Sequence, residues 1–374
     1  MNIYVLSRRS LVSSVSEDPV FELEDLVAET CDAKILIPTA RNLTVWAEKQ
    51  PQLASKYLKK VIKRTSGFYH PLECEIPKTN QPNVLLVIGL CGSELNVLAS
   101  LPGWRQKFDI VVAYVFDAWD FDYYPKYINQ IDHLFVPIPE IIDTLHQKFK
   151  IPVSLLPFGV DALKQGDGGN NRPFDLISYG RIPQQYHQAF HGKFNQPNSG
   201  RIYYRFTPRP TEFLPKNPYE NRRDREDRMT LFHILRRAKL ALAFDTLYPG
   251  MRQFPHSVVT LRWFECGAAG CGIVGKRPTT PLADQLLDWE DSTIELPDDP
   301  QESVEIVEQL LQDQNRLNSI HRRNYLENLA KHDLRHRIQL MLETLNLSLP
   351  PRLVEELSQI KELSKAEVKQ IVNV

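Results

Sequence analysis

The sequence predicts an α/β fold made of two domains, each a parallel β-sheet covered by helices on both faces. The chain has 374 residues, a length that suggests two domains. Short runs rich in Val, Ile and Leu recur along the chain, and helical patterns separate several of them. Strands that are apolar on both faces and alternate with helices are typical of parallel sheets buried between layers of helices.

The first half of the chain supplies the elements of a predicted first domain, residues 1–160. Its predicted strands are Ile3–Leu6, Lys34–Ile37, Val84–Leu90, Ile110–Phe116, His133–Val136 and Val153–Leu156. Helical patterns lie at Glu94–Leu101 and Glu140–Lys150. This alternation of strand and helix predicts a Rossmann-like domain.

A linker and a second domain of the same kind follow. Residues 161–173 contain three glycines, two asparagines and a proline, a composition typical of linkers. The predicted strands after it are Asp175–Tyr179, Ile202–Phe206, Leu240–Phe244, Gly272–Gly275 and Thr293–Leu296, and the predicted helices are Glu226–Ala238, Pro281–Trp289 and Glu302–Leu345. The second domain is predicted over residues 174–346, with a tail of two short amphipathic helices over 347–374.

Composition and motifs argue against several classes of protein. The formal net charge of −1 gives no overall attraction to nucleic acid, so we expect no nucleic-acid partner. The five cysteines are scattered without a Cys-x-x-Cys pair, which predicts free thiols, no zinc site and a reducing cytoplasm. The longest apolar runs, such as Val84–Cys91, are far short of the roughly 20 residues of a transmembrane helix. No P-loop, Gly-x-Ser-x-Gly or Gly-x-Gly-x-x-Gly motif occurs.

The stretch SVVTLRWFECGAAGCGIVGKRP, residues 257–278, holds Arg262 and Glu265 in an apolar run before a small-residue segment. Its β-branched and aromatic residues favour a strand, but we prefer a helix that is capped by Ser257 or Thr260 and runs to Ala269, because the small residues at 267–269 would let such a helix sit tightly on a sheet. The start of such a helix offers backbone N–H groups to an anion, and Arg262 in its first turn could bind phosphate oxygens. Glu265 could accept hydrogen bonds from ribose hydroxyls. Alternatively, Arg262 and Glu265 pair with each other.

The carboxyl end of the second domain's first strand is another candidate binding site. Gly180 lets backbone approach a ligand closely, and Arg181 adds a permanent cation. Ligands of open α/β sheets bind outside the carboxyl ends of the strands. We therefore predict that the two domains face each other across a cleft that binds a nucleoside diphosphate.

Several segments resemble group-1, family 4-like glycosyltransferases, whose GT-B architecture has two Rossmann-like domains. Thr260, Leu261 and Arg262, followed by two aromatic residues and Glu265, resemble the donor-binding signature of a divergent branch related to spore-maturation-type glycosyltransferases. FDLISYGR, ending at Arg181, is similar to the opening of the family's second domain. Residues 131–161, which end in a Pro-x-Gly-Val-Asp turn, are similar to the family's passage between domains.

The chain departs from the family pattern at two points. The first of two glutamates in the donor signature would fall at Ser257, and the lysine expected about five residues after Arg181 is missing. Both departures bear on how the donor is held. Phosphate neutralisation would therefore rest on Arg181 and Arg262.

The resemblance implies a cytoplasmic hexosyltransferase. It would move a hexose from a UDP- or GDP-sugar to a hydroxyl acceptor (a glycan, a lipid or a small molecule) with retention of configuration, no metal and no further cofactor. The implied donor-binding residues are Gly180, Arg181, Thr260, Leu261, Arg262 and Glu265. The basic segment Lys49–Arg64 suggests a peripheral membrane contact as a further hypothesis.

VFDAWDFDYY, at Val115–Tyr124, supplies the candidate catalytic residues. Asp117 and Asp120 could contact the acceptor or the transferred sugar, since family members often carry a catalytic-site His or Asp here. The alternative is a solvated acidic loop. Asp120 and Asp122 also form the Asp-x-Asp motif with which the GT-A fold holds a divalent metal and a diphosphate.

The sequence is also compatible with other functions. A sugar-nucleotide epimerase shares the two-domain architecture, and a catalytically silent nucleotide-sugar or membrane-surface binding protein would fit the two departures from the family pattern. A GT-A enzyme would use Asp120 and Asp122. His187 and His191 are spaced to share a metal, but Gln188 replaces the glutamate of a zinc protease, so we predict no metal site.

Overall fold

The computed structural model describes residues 1–10, 15–48, 54, 57–58, 61–62, 67–208, 226–251 and 254–372. These residues form two compact units. The first comprises residues 1–157, 226 and 339–353, and the second comprises residues 158–208, 227–338 and 354–372. Each unit contains one parallel sheet.

The first unit contains a six-stranded parallel sheet with the order β2-β1-β3-β4-β5-β6. The strands are β1 (Asn2–Leu6), β2 (Lys34–Leu36), β3 (Asn83–Cys91), β4 (Ile110–Asp117), β5 (His133–Val136) and β6 (Val153–Leu155). The middle residues of β3 and β4 are buried, as expected for central strands of a parallel sheet. All six strands predicted for this half are present.

The helices of this part of the chain are α1 (Asp18–Cys31), α2 (Asn42–Glu48), α3 (Trp104–Lys107) and α4 (Ile142–Phe149), with 3-10 helices at Val15–Glu17, Gly92–Ser100, Ile128–Gln130 and Pro139–Ile141. Helix α1 was not predicted from the sequence. It has a proline in its first turn, and the residue that follows it, Asp32, has left-handed backbone with a φ of 51°. The predicted α-helix at Glu94–Leu101 is a 3-10 helix. There the Glu94 carboxylate turns back to accept a hydrogen bond from the backbone N–H of Leu90 at 2.6 Å.

The second unit contains a five-stranded parallel sheet with the order β11-β10-β9-β7-β8. Its strands are β7 (Phe174–Tyr179), β8 (Tyr203–Phe206), β9 (Ala238–Phe244), β10 (Gly272–Lys276) and β11 (Ile294–Glu295). These match the five predicted strands, and together the two sheets confirm the predicted α/β class.

The remaining helices are α5 (Ala162–Gln165), α6 (Gln184–Phe194), α7 (Glu226–Leu235), α8 (Leu261–Ala268), α9 (Pro281–Leu286), α10 (Pro300–Leu310), α11 (Gln314–His332), α12 (Leu334–Thr344) and α13 (Pro351–Val372). The single helical pattern predicted at Glu302–Leu345 is three helices. One break occurs where the Asp313 side chain caps α11 by accepting from Arg316 N, and the other where Asp333 takes an extended ψ of 141°. The tail is one helix, α13, and not the two short helices predicted.

The small residues after Glu265 allow a close helix–helix contact. At Gly267, a Cβ would overlap the side-chain amide of Asn328 on α11. Gly270 has a φ of +73°, and a Cβ there would meet backbone oxygens and the Arg172 guanidinium. The sequence reading expected these residues to fit a helix against the sheet, whereas the closest approach at Gly267 is to another helix.

Two buried histidines of α11 predict how stability depends on pH. Burial lowers the pKa of both His321 and His332 to about 3. The His321 ring also makes a hydrogen bond with the Gly270 carbonyl. The unfolded chain binds protons at both rings below a pKa of about 6.5. As the pH falls from about 6.5 towards 3, we expect each histidine to remove up to about 1.4 kcal/mol of unfolding free energy per pH unit.

The measurement is the unfolding free energy between pH 7 and 4 for the wild type and for the double variant His321→Gln, His332→Gln. The double variant is expected to show the shallower decline. His233→Gln, at an exposed residue of α7, serves as the control and should follow the wild type. Parallel curves for the wild type and the double variant would contradict the prediction.

Candidate functional site

The stretch around Arg262 forms a helix, as preferred over a strand. Thr260 is the N-cap residue of α8, with extended backbone at φ −73° and ψ 167°, and its carbonyl accepts from Trp263 N at 3.1 Å. The Thr260 side chain itself makes no capping hydrogen bond. The first N–H groups of an α-helix have no partner within the helix, so those of Leu261 and Arg262 are oriented to bind an anion.

Gly180 and Arg181, which follow β7, lie against the side chain of Arg262. The Arg262 Nη1 donates to the Arg181 carbonyl at 2.8 Å. Gly180 is exposed and has a φ of +60°, and a Cβ on it would lie 2.7 Å from the Arg262 Nη2. Four of the predicted donor-binding residues are thus brought together by the start of α8 and the end of β7: Gly180, Arg181, Leu261 and Arg262.

Glu265 is almost completely buried and is held by two side chains of the same unit. Its Oε1 accepts from Arg228 Nη1 at 2.5 Å, and its Oε2 accepts from the Tyr179 hydroxyl at 2.8 Å. Its exposed fraction is 5%. The alternative in which Glu265 pairs with Arg262 is therefore not observed. The predicted ribose contact of Glu265 stays a prediction.

Tyr179 links the buried carboxylate to the arginine at the surface. The Arg262 guanidinium lies over the Tyr179 ring, 5.2 Å from its centroid. Burial raises the pKa of Tyr179, which keeps the phenol protonated and able to donate to Glu265. A row of contacts therefore runs from Arg228 through Glu265 and Tyr179 to Arg262. It fixes the Arg262 guanidinium beside Gly180.

A second guanidinium approaches Gly180 from the neighbouring strand. Arg205 of β8 is exposed, and its Nη2 donates to the Gly180 carbonyl at 3.2 Å. Arg205 was not among the residues predicted from the sequence; it is one of the two exposed residues in the middle of Tyr203–Phe206.

Ser257, where the family pattern has a glutamate, lies beside a buried carboxylate that the sequence reading also missed. Its Oγ donates to Asp245 Oδ2 at 3.0 Å and accepts from Thr279 N at 2.8 Å. Asp245 follows β9 directly and also accepts from Leu247 N at 3.1 Å. These bonds anchor the segment that leads into α8.

Gly180 offers a direct test of this geometry. We expect Gly180→Ala to cost about 1–2 kcal/mol of unfolding free energy, because an alanine is strained in the left-handed conformation. The new Cβ would also displace the Arg262 guanidinium, so the KM for the predicted nucleotide-sugar donor should rise several-fold. Enzyme kinetics and thermal unfolding measure the two effects.

Gly200→Ala is the matched control. Gly200 has nearly the same conformation, with a φ of +63°, but nothing lies within 4 Å of the Cβ position. It should show a similar loss of stability and an unchanged KM. Equal KM values for the two variants would contradict the placement of Arg262.

The predicted catalytic aspartates lie at the carboxyl end of β4 in the first unit. Asp117 is the last residue of β4 and is partly buried, and Asp120 is exposed. Asp122, the second aspartate of the Asp-x-Asp motif, pairs with Lys148 at 2.8 Å, and this contact lowers the pKa of its carboxyl group.

The structure gives no support to the histidine pair as a metal site. The ring centroids of His187 and His191 are 5.8 Å apart, and His187 Nδ1 is hydrogen-bonded to the Tyr203 hydroxyl at 2.9 Å. Across the described ranges, no three His, Cys, Asp or Glu side chains are grouped so as to hold a metal ion. His256 uses its backbone carbonyl to accept a hydrogen bond from Thr246 at 2.9 Å.

The membrane hypothesis concerns a segment that lies largely outside the described residues. Of Lys49–Arg64, only residues 54, 57–58 and 61–62 are described. Among the helices that the structure describes, none combines the length and the apolar character needed to cross a bilayer.

Part of the second half of the chain matches a family model, and solved structures share the fold. Residues 199–343 match the family described as "Glycosyl transferase-like". An alpha-glucosyltransferase solved with UDP and a 13-mer DNA is 12% identical, with a TM-score of 0.54, over 92% of this chain and 100% of that one. The Anabaena protein Alr3699/HepE, solved with UDP and glucose, is 11% identical, with a TM-score of 0.51, over 92% of this chain and 99% of that one. No curated protein matches the sequence.

The family match lies within the second half of the chain and includes α8, Arg205 and Asp245. The two solved structures show the fold, which is that of GT-B glycosyltransferases. The predicted GT-B fold and the predicted resemblance to glycosyltransferases are therefore confirmed, and the GT-A alternative does not fit the two separate sheets.

Proposed function

We propose that the chain is a glycosyltransferase of the GT-B type that transfers a hexose from a UDP-sugar to a hydroxyl group. The observation that carries the proposal is the position of Arg262. Its guanidinium borders Gly180 at the carboxyl end of β7, and its backbone lies in the first turn of α8. UDP is chosen because it is bound in the two related structures, and a GDP-sugar is the other donor that the sequence suggested.

The proposed donor contacts follow from charge. A diphosphate accepts hydrogen bonds from guanidinium groups and from the N–H groups of a helix start. Arg262 has five N–H donors, and its bond to the Arg181 carbonyl is the one hydrogen bond that the described residues accept from it. Arg181 and the N–H groups of Leu261 and Arg262 would complete the phosphate contacts.

The chemical role of these groups is to stabilise the leaving group. As the bond between the sugar and the diphosphate breaks, negative charge grows on the departing phosphate oxygens. Fixed donors aimed at this charge stabilise the transition state more than the ground state. The rigid support of Arg262 by Tyr179 and Glu265 means that little reorganisation is needed at that moment.

The proposal also assigns roles to individual residues. Asp117 and Asp120 are proposed to contact the acceptor or the transferred sugar, and Thr260 is proposed to position the start of α8 at the donor. For Glu265 we propose a positioning role through Tyr179 and, as a second role, a contact with the ribose hydroxyls. Retention of configuration and independence from metal are proposed on the family resemblance. A cytoplasmic location is proposed on the scattered cysteines, and a peripheral membrane contact on the basic segment Lys49–Arg64.

The test is release of UDP or GDP from a panel of UDP- and GDP-hexoses, with glycan, lipid and small-molecule hydroxyl acceptors. We expect release that depends on acceptor and persists in EDTA, and a product with the donor's anomeric configuration by NMR. Interconversion of donors without acceptor would instead indicate an epimerase. Donor binding without any turnover would indicate a silent binding protein, and either result would contradict the proposal.

A further inference from the structure

We propose that Arg205 is a third donor-binding guanidinium, which contacts the diphosphate of the nucleotide sugar. The inference rests on the proposed function and adds to it a residue from a different strand. The sequence lacks the lysine that the resembled family has about five residues after Arg181. Arg205 of β8 instead brings a cation to the backbone of Gly180, the residue before Arg181.

Strand pairing places Arg205 at this position. β8 runs parallel to β7, with Arg205 opposite Ser178 and Phe206 opposite Tyr179. Arg205 therefore lies one residue before the carboxyl end of β8, at the sheet edge where Gly180 begins the loop after β7. Ligands of parallel sheets bind at this edge.

Two guanidinium groups thus hold successive carbonyls of one short loop. Arg205 donates to the carbonyl of Gly180 at 3.2 Å, and Arg262 donates to the carbonyl of Arg181 at 2.8 Å. A guanidinium has five N–H donors, so each arginine keeps further donors for a ligand beside its bond to the loop.

No carboxylate neutralises this pair within the described residues. Neither Arg205 nor Arg262 has an ion pair there, in contrast to Arg201 at the other end of β8, which pairs with Asp175 at 3.5 Å. Cations gathered without counter-charges repel one another, and a ligand with more than one negative charge offsets that repulsion. A diphosphate has this charge, and its oxygens match the forked geometry of arginine.

The experiment is calorimetric titration of the full chain with UDP, GDP and UMP, for the wild type and for Arg205→Ala. We expect Arg205→Ala to weaken binding of the preferred diphosphate about tenfold to hundredfold. The affinity for the monophosphate should change less, so the preference for diphosphate over monophosphate should fall. The unfolding temperature should stay unchanged, because the side chain is exposed. Arg205→Lys, which keeps the charge but not the fork, should lie between the two.

Arg323→Ala is the control, since it removes one positive charge from an exposed ion pair with Glu290 in the same unit. It should leave every affinity unchanged. Equal affinities of the wild type and Arg205→Ala for the diphosphate would overturn the role of Arg205 alone. Equal weakening of UDP and UMP binding would overturn the assignment to the diphosphate. A wild type that binds neither UDP nor GDP would overturn the proposed function and this inference with it.

Discussion

Glu265→Ala is expected to lower the unfolding free energy of the protein by about 3–5 kcal/mol, because it leaves the Arg228 guanidinium buried without its carboxylate. Arg228 has an exposed fraction of 7%, so water cannot easily replace the lost partner. The same change removes the acceptor of the Tyr179 hydroxyl. Differential scanning calorimetry should show a fall in unfolding temperature on the order of 10 °C.

A surface pair gives the control for this prediction. Glu308→Ala removes a carboxylate that lies 3.5 Å from Lys193 at the surface, and its effect should stay below about 1 kcal/mol. Combining Glu265→Leu with Arg228→Met should be less destabilising than Glu265→Leu alone, since the buried positive charge is then removed together with the carboxylate it pairs with. Additive losses in the double variant would contradict the role given to this pair.

The same residue allows its two proposed roles to be separated. If Glu265 only positions Tyr179 and Arg262, Glu265→Gln should weaken binding of UDP and of 2′,3′-dideoxy-UDP by the same factor. If Glu265 also binds the ribose diol, the wild type should prefer UDP over the dideoxy analogue and Glu265→Gln should lose that preference. Titrations of the two proteins with the two ligands decide between these outcomes.

Arg262→Ala is expected to reduce kcat/KM for the donor sugar by about tenfold to hundredfold, the effect of losing a charge-assisted hydrogen bond worth roughly 1.5–3 kcal/mol. If the guanidinium stabilises charge on the leaving group, part of the loss should appear in kcat and not in KM alone. Arg262→Lys should recover part of the activity, because it keeps the charge without the fork.

Protein stability should change little in this variant. Arg262 is partly exposed, and its one hydrogen bond to the described residues goes to the Arg181 carbonyl. Arg323→Ala, again removing one exposed charge, should retain wild-type kinetics. Full activity of Arg262→Ala would show that the leaving group is stabilised by other residues.

The central strands of both sheets could be predicted because they are largely apolar on both faces, a pattern that few other elements share. The helix α8 was preferred over a strand because of the small residues from Gly267 to Gly270, although β-branched and aromatic residues precede them. The helices α1 and α6 were not predicted, since their polar residues are mixed with apolar ones. Helix breaks at Asp313 and Asp333 depend on single capping positions within a long polar pattern.

The partners of the site residues could not be read from the sequence. Arg262 and Glu265 are three residues apart, and the spacing rule for helices suggested a pair between them. Glu265 instead pairs with Arg228, which is 37 positions away, and Arg205 reaches Gly180 across 25 positions through the register of two parallel strands. Such contacts follow from the folded sheet, and a single sequence carries no local pattern for them.

A structure of the full chain with UDP bound tests the proposed site most directly. We predict that oxygens of the diphosphate lie within about 3 Å of the Arg262 guanidinium and beside the loop at Gly180 and Arg181, with Arg205 as a further contact. A diphosphate bound elsewhere, with the Arg262 guanidinium still turned to the Arg181 carbonyl and touching no phosphate, would contradict it.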